Sequence, residues 1–128
     1  MFIVTANTMI DTQKYEHLRF TDDFNCSSFV KLVCADNGIK CPIDFVSHTD
    51  SKAIAQAILD KKPMFEEVEK PQDFDVIYMR EKDGRRHVGL YFKYGNIYHL
   101  RREGSPVFQK ITTEIKSQII GIYRLKED

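Results

Sequence analysis

The chain of 128 residues is 42% hydrophobic and 30% charged, and it contains six glycines and four prolines. This composition excludes a disordered or fibrous protein and predicts one domain over residues 1–128, whose core needs neither disulfides nor a structural metal to fold. The 19 basic side chains balance the 19 acidic ones, so the sequence disfavours a protein that binds nucleic acid over its whole surface.

The amino end, residues 1–8, has neither a charged leader nor an apolar segment of export-signal length. No apolar run approaches the roughly 20 residues of a membrane span. We therefore expect no signal peptide, no membrane partner and synthesis in the cytoplasm. The cysteines are odd in number and lack the spacing of a disulfide framework, which predicts free thiols at Cys26, Cys34 and Cys41.

Helical patterns occupy the first half of the chain, to about residue 62. Asn25 is a candidate N-cap for a helix from Cys26 to Asp36, and Asn37-Gly38 is typical of a helix C-terminus. A second helix is predicted from Asp50 to Lys61, where apolar residues recur at helical spacing.

Strand patterns occupy the second half of the chain. They cover Asp75–Arg80, His87–Phe92, Ile97–Leu100, Val107–Phe108 and Gln118–Arg124. Helices followed by strands predict an α+β fold in which N-terminal helices pack on an antiparallel β-sheet.

Cys26 begins the first predicted helix and lies on its apolar face, together with Phe29, Val30 and Val33. Most free cysteines at such positions are small core residues. In the first helical turn, however, backbone N–H groups and the helix dipole favour a thiolate. Cys26 is therefore also a candidate nucleophile, with a pKa that we expect to be lowered unless burial opposes it.

Two histidines, His87 and His99, fall on strands joined by the loop Lys93-Tyr94-Gly95. A three-residue loop makes the two imidazoles diagonal neighbours on one sheet face, with Gly89 leaving the space between them open. A two-residue loop would put them on opposite faces. Each histidine alone is more often a sheet residue that is hydrogen-bonded to a neighbour.

A helix-start thiol and two imidazoles are the groups that nucleophilic acyl transfer requires. The thiolate attacks a carbonyl carbon, one imidazole takes and returns a proton, and the other orients the first. The N–H groups at the helix start are placed to stabilise an oxyanion. Cys26, His87 and His99 are therefore the candidate catalytic residues.

Five segments share a further pattern: Phe24–Val30, Gly38–Pro42, Phe74–Ile77, His87–Tyr91 and Ile97–His99. They resemble the NlpC-type cell-wall cysteine peptidases, in which an Asp-Cys-Ser-Gly helix start precedes a His-Val-Gly-Ile strand and a third polar residue about a dozen residues later. The resemblance extends from about residue 24 to about residue 124. It is nearest to the phage-tail branch of that family, where a lone papain-like domain of this size is typical.

The resemblance implies roles for the candidate residues. Cys26 would be the nucleophile, His87 the general base and acid, and His99 the residue that orients His87. The substrate-binding candidates are Tyr15, Ser27 and Gly89. The implied reaction is hydrolysis of an amide in the peptide stem of peptidoglycan without a metal or cofactor. Phage-tail proteins would be further partners, and the virion tail a location.

Three residues depart from the family pattern. Asn25 stands where Asp is usual, Ser28 where Gly is usual, and Phe74 where Gly precedes the aspartate. Asn25 and Ser28 border the nucleophile, so both are expected to be able to alter substrate fit or rate.

Other interpretations compete with this one. Between Arg80 and Arg102, seven Lys or Arg against two acidic residues form a basic rim. The simpler interpretation is that the rim is solvated surface. The functional interpretation is that the rim recognises an anionic substrate, such as a stem-peptide carboxylate. A tail-assembly module with little catalysis and a thiol acyltransferase are alternative functions. A zinc site is a further alternative that lacks the spacing of a zinc knuckle, and its ligands would be Cys26, Cys34, Cys41 and His48.

Overall fold

The computed structural model describes residues 1–21, 23–42, 64–102 and 104–126, together with the single positions 56 and 60. Within these ranges no helix is both long and apolar enough to cross a membrane. A 3-10 turn spans Thr12–Tyr15. The regular elements are β1 (Phe2–Val4), β2 (Met9–Asp11), α1 (Cys26–Asp36), β3 (Phe65–Glu67), β4 (Val76–Arg80), β5 (Arg86–Phe92), β6 (Asn96–Leu100), β7 (Pro106–Lys110), α2 (Thr113–Gln118) and β8 (Ile119–Leu125).

Six of the strands form one sheet, in the order β3-β8-β4-β5-β6-β7, and every neighbouring pair is antiparallel. Strands β4 to β7 follow one another as a meander, and β8 returns to pair with β4. Strands β1 and β2 form a separate antiparallel pair. The meander positions the candidate site, because the strands bearing the two histidines are neighbours.

The main core lies between α1 and one face of the six-stranded sheet. Helix α1 contributes Phe29, Val30 and Val33, which are fully buried. The sheet contributes Val88, Leu90, Phe92, Tyr98 and Leu100. Because side chains alternate along a strand, His87 and Gly89 of β5 and His99 of β6 belong to the other face.

The second face carries a smaller apolar cluster. Its buried members are Ile77, Met79 and Ile97. Ile115 of α2 is one of the partly buried residues that pack against them. This face therefore combines a short apolar floor with the two histidines.

The predicted fold class, α+β with N-terminal helices packed on an antiparallel sheet, is wrong. In the described part of the first half, α1 is the one α-helix that packs on the sheet, and the remainder contains β1, β2 and a 3-10 turn. The described residues are mostly β-sheet. The second predicted helix, Asp50–Lys61, lies outside the described residues except at positions 56 and 60. The first predicted helix, Cys26–Asp36 with Asn25 as its N-cap, is confirmed. Strands β1 and β2 were not predicted, because strands of three residues are too short to show a pattern.

The five strands predicted in the second half are confirmed, each within two residues at either end. The three-residue loop is confirmed as well, since Phe92 pairs with Asn96. Gly95 has a φ of 73°, a left-handed conformation that glycine adopts freely, and Tyr94 before it has a φ of 70°. This register puts His87 and His99 on the same face.

Side chains of β6 lie directly against the backbone of β5 at Gly89. A Cβ built on it would lie 2.8 Å from Ile97 Cδ1, 2.9 Å from Ile97 Cγ1 and 3.0 Å from His99 Cβ. The space next to Gly89 is therefore filled by β6, and the expectation that it stays open is wrong. A side chain at this position would force the two strands apart.

We expect Gly89→Ala to lower the free energy of unfolding by about 1–3 kcal/mol, because the added methyl group overpacks a buried site. Urea-induced unfolding followed by circular dichroism measures the change. Gly104→Ala is the matched control, since nothing lies within 4 Å of its Cβ position and its φ is outside the left-handed region. Equal stabilities of the two variants would contradict the close packing.

Candidate active site

The start of α1 is fixed by a reciprocal cap. Asn25 Oδ1 accepts hydrogen bonds from the Ser27 and Ser28 amides at 3.0 and 3.2 Å, and Ser28 Oγ accepts one from the Asn25 amide at 3.1 Å. Cys26 is thereby held at the first helical position. The two capped amides already have an acceptor, so the Cys26 amide is the helix-start donor that the cap leaves for an oxyanion.

The Cys26 thiol is 2% exposed and lies against β5. The β5–β6 ladder extends from Phe92 back to Leu90, and the Val88 amide beyond its end lies near enough to the Cys26 sulfur to lower the pKa of the thiol. That amide belongs to the peptide unit joining His87 to Val88. The thiol is therefore in contact with the backbone of the residue that carries the candidate base.

Burial raises the pKa of Cys26 to about 11, and the Glu81 carboxylate adds to the increase. The nearby backbone amides of Val88, Ser27 and Cys26 itself lower the pKa by less. The expectation of a lowered pKa is therefore wrong for this conformation, because desolvation outweighs the helix start. At neutral pH the group is a thiol.

The two imidazoles are in direct contact. His87 Nε2 and His99 Nδ1 are 2.7 Å apart, and both residues are 5% exposed. Burial lowers the pKa of His87 well below its usual range, with contributions from His99, Arg101 and Arg102. Burial also lowers the pKa of His99 to about 4. Both rings are therefore neutral at neutral pH, and His87 Nδ1 remains for the thiol.

Gln109 completes the row of polar side chains on this face. Its Oε1 lies 2.9 Å from His99 Nε2, and its hydrogen bond opposes the lowering of the His99 pKa. Gln109 is on β7 and pairs with Ile97, which makes it a diagonal neighbour of His99. Sequence reasoning missed Gln109. The predicted strand there ended at Phe108, although alternation from His99 through the next hairpin would have found it.

The thiol and the imidazoles come from opposite faces of the sheet. Cys26 belongs to the core under α1, whereas His87 and His99 face α2. The Val88 amide that lies near the thiol is beyond the Leu90↔Tyr98 pair, where the β5–β6 ladder has ended. Among the described residues, a hydrogen bond joins imidazole to imidazole, and none joins the thiol to an imidazole.

A cavity of about 500 Å³ opens on the histidine side of the sheet. His87, His99 and Gln109 line one wall, and α2 with the β4–β5 turn lines the others. Lys82 of that turn and Glu114 of α2 form an ion pair of 2.7 Å. Both imidazoles are thus reachable from a space large enough for a short peptide, although Cys26 is not part of the lining.

The substrate-binding candidates lie in different places. The Tyr15 hydroxyl donates to Asp36 at 2.6 Å, at the end of α1 opposite Cys26, so the structure does not bring Tyr15 to the thiol. The Ser27 hydroxyl is buried and donates to Asn25 Oδ1 at 2.6 Å. Gly89 lies directly beside His99 and Ile97. The binding roles of these three residues stay predictions.

Part of the predicted basic rim borders the site. Arg85, Arg101 and Arg102 line a second cavity of about 160 Å³ together with Glu81 and Asp83. Arg85 Nε forms an ion pair with Asp83 at 3.1 Å. The positive charge of the rim is therefore partly balanced by carboxylates in place.

The described residues do not form a cluster of ligands for the alternative zinc site. The described ranges contain no group of three or more His, Cys, Asp or Glu side chains arranged to hold a metal ion, and His48 lies outside those ranges. Cys34 lies against Cys41, whose hydrogen bond raises the pKa of Cys34, with burial adding to the increase. Both are buried free thiols.

The three departures from the family pattern have structural explanations. Asn25 and Ser28 together form the reciprocal cap described above. Phe74 has a φ of 70°, the left-handed conformation that explains the glycine usual at this position. Its ring packs edge-on against Phe92, with 5.0 Å between centroids. The phenylalanine thus adds a core contact at a backbone position that suits glycine.

Comparison with known proteins identifies the family of the chain. A sequence model of the NlpC/P60 family matches residues 11–122, which include the cysteine, both histidines and Gln109. A search of curated proteins found no match. The family is one of cell-wall cysteine peptidases and amidases that act on peptidoglycan peptides. Because the match covers most of the chain, the protein belongs to the NlpC/P60 family, and its function is of the cell-wall peptidase or amidase kind.

Proposed function

We propose that residues 1–128 form one cysteine hydrolase domain that cleaves an amide bond in the peptide stem of peptidoglycan. Cys26 is the nucleophile, His87 the general base and acid, and His99 the residue that orients His87. The observation that carries the proposal is the 2.7 Å contact between the two imidazoles, one of which is on the strand whose Val88 amide lies near the Cys26 thiol.

The proposed reaction is a two-step acyl transfer. As Cys26 Sγ bonds to the amide carbon, its proton passes to His87 Nδ1, and the imidazolium gives that proton to the amine nitrogen as the C–N bond breaks. Water then attacks the thioester and loses a proton to His87. The acyl group leaves as a carboxylic acid, and the sulfur recovers its proton.

The neutral resting state determines what His87 must do. With a thiol pKa of about 11 and an imidazole pKa below its usual range, the thiolate–imidazolium pair does not form in advance. Proton transfer therefore accompanies the attack. A bound substrate that excludes water strengthens this transfer, because the charges then form next to oriented amides.

The phage-tail branch, tail proteins as partners and the virion tail as a location stay predictions of the sequence, without support from the fold or the family match. The alternative functions differ from the proposal in their products. An acyltransferase would pass the acyl group from Cys26 to an amine and make a new amide. A tail-assembly module would release nothing from the cell wall.

We expect the wild-type protein to release stem-peptide fragments from purified peptidoglycan. Cys26→Ala should reduce the release by about three orders of magnitude, because it removes the only atom that bonds to the substrate. Mass spectrometry of the soluble products, from walls of several bacteria, measures both and identifies the cleaved bond. The matched control is Cys34→Ala, which removes a buried thiol from the same helix and should retain the activity.

Two outcomes would overturn the proposal. Equal release by wild type and folded Cys26→Ala would exclude thiol catalysis. Release of nothing from any wall by the folded wild type would favour the assembly module. If an added amine instead appears in the products as a new amide, the acyltransferase replaces the hydrolase.

We expect alkylation of Cys26 by iodoacetamide to accelerate about tenfold per pH unit from about pH 7 to about pH 10, because the thiolate is the reacting species. The raised pKa of about 11 means that the rate is still increasing where an ordinary thiol has levelled off. Peptide mass spectrometry resolves Cys26 from the other two cysteines in the same sample, and the urea-unfolded chain supplies the unperturbed profile.

A rate that stays constant from acidic to neutral pH would contradict the neutral resting state. That profile is the signature of a preformed thiolate–imidazolium pair, which the lowered His87 pKa and raised Cys26 pKa both oppose.

A further inference from the structure

The chain of hydrogen bonds on the histidine face has an open end, at a ring nitrogen of His87, and a closed end, at the side chain of Gln109. It begins at His87 Nδ1, runs from His87 Nε2 to His99 Nδ1, and ends at the contact between His99 Nε2 and Gln109 Oε1. Each neutral imidazole carries one proton on either of its two nitrogens. The residue at the closed end therefore decides the proton positions along the whole chain.

The amide oxygen of Gln109 is an acceptor, so His99 must carry its proton on Nε2 to bond with it. His99 Nδ1 is then unprotonated and must accept from His87 Nε2. His87 consequently has no proton on Nδ1. If the amide nitrogen of Gln109 faced His99 instead, every step would reverse, and His87 Nδ1 would carry a proton and be unable to accept one.

We propose that Gln109 is a positioning residue that fixes the tautomers of both histidines, so that His87 Nδ1 is free to take the Cys26 proton. This inference rests on the proposed function for its consequence in catalysis. The tautomers themselves are a property of the resting protein and are measured without substrate.

The surroundings of the chain favour a single arrangement. Both imidazoles are 5% exposed, so water has little access to satisfy a ring nitrogen in the wrong state. Gln109 is partly buried on β7, which pairs with β6 along Asn96–Leu100. The backbone ladder therefore fixes the backbone of Gln109 relative to His99, and the 2.9 Å contact places its amide group against the ring.

Three substitutions of Gln109 distinguish the effect of a hydrogen-bond acceptor from that of a donor. Gln109→Glu offers only acceptor atoms, Gln109→Lys only donor hydrogens, and Gln109→Leu neither. Gln118→Glu and Gln118→Lys are the charge controls, because Gln118 lines the same cavity and makes no hydrogen bond to either histidine among the described residues. They introduce the same charges without changing the end of the chain.

The experiment is long-range proton–nitrogen NMR of the full chain labelled with ¹⁵N histidine at neutral pH, in which protonated and unprotonated ring nitrogens are distinguished directly. In the wild type and Gln109→Glu, we expect both histidines to be protonated at Nε2. In Gln109→Lys both protons should move to Nδ1, and in Gln109→Leu the two arrangements should be mixed. The Gln118 variants should match the wild type.

The cleavage rates should follow the tautomers. Gln109→Glu should retain most of kcat/KM. Gln109→Leu should lower kcat/KM about twofold if half of the molecules have the wrong tautomer. Gln109→Lys should lower kcat/KM about 100-fold, which is the contribution of a general base. Amide spectra of each variant establish that it is folded. Rescue of the leucine variant by glutamate is a result that a merely structural role of Gln109 would not give.

Two results would overturn the inference. One is a wild-type His87 protonated at Nδ1, and the other is a pair of tautomers that stay the same across the Glu, Leu and Lys variants. Failure of the proposed function is a separate result, since a wild type that cleaves no peptidoglycan still reports its tautomers. An inactive Gln109→Lys with wild-type tautomers would exclude Gln109 as the residue that sets them.

Discussion

The hydrogen bond between His87 and His99 is the interaction on which the candidate site depends. It exists because the loop between β5 and β6 has three residues, which sets Phe92 opposite Asn96 and both histidines on one face. It also requires that β5 carry no side chain at Gly89, because Ile97 and His99 occupy that space. A one-residue change of register would turn the two rings to opposite sides of the sheet.

Burial is the second constraint, and it determines the kind of chemistry available. The same exclusion of water that orients the imidazoles keeps Cys26 protonated and both histidines neutral. An exposed thiol would ionise more easily, but the amides around it would then be solvated and stabilise charge less. The site therefore holds groups that are weakly reactive at rest, and in the proposed reaction they become reactive through proton transfer.

Much of the sheet was predictable from the sequence, and the reason is strand length. Strands β5 and β8 have seven residues each, enough for runs of β-branched and aromatic residues to mark them as strands, and the hairpin loop contains the glycine that its geometry requires. Strands β1 to β3 have three residues each and leave no such signal. Gln109 was missed because its role arises from a diagonal contact between strands. The raised pKa of Cys26 was missed because burial is a property of the packed structure.

The separation of β5 from β6 explains how one sheet serves both the thiol and the imidazoles. Strand β6 stays paired with β7 along its whole length, including His99 opposite Val107, whereas its ladder with β5 stops at Leu90. His99 is therefore held from the β7 side, where Gln109 also lies. The Val88 amide is left for Cys26, so the candidate nucleophile on the core face lies near the backbone next to the candidate base, whose side chain is on the other face. Had the β5–β6 ladder continued to His87, that amide would have bonded to β6 and the sheet would have separated the two groups.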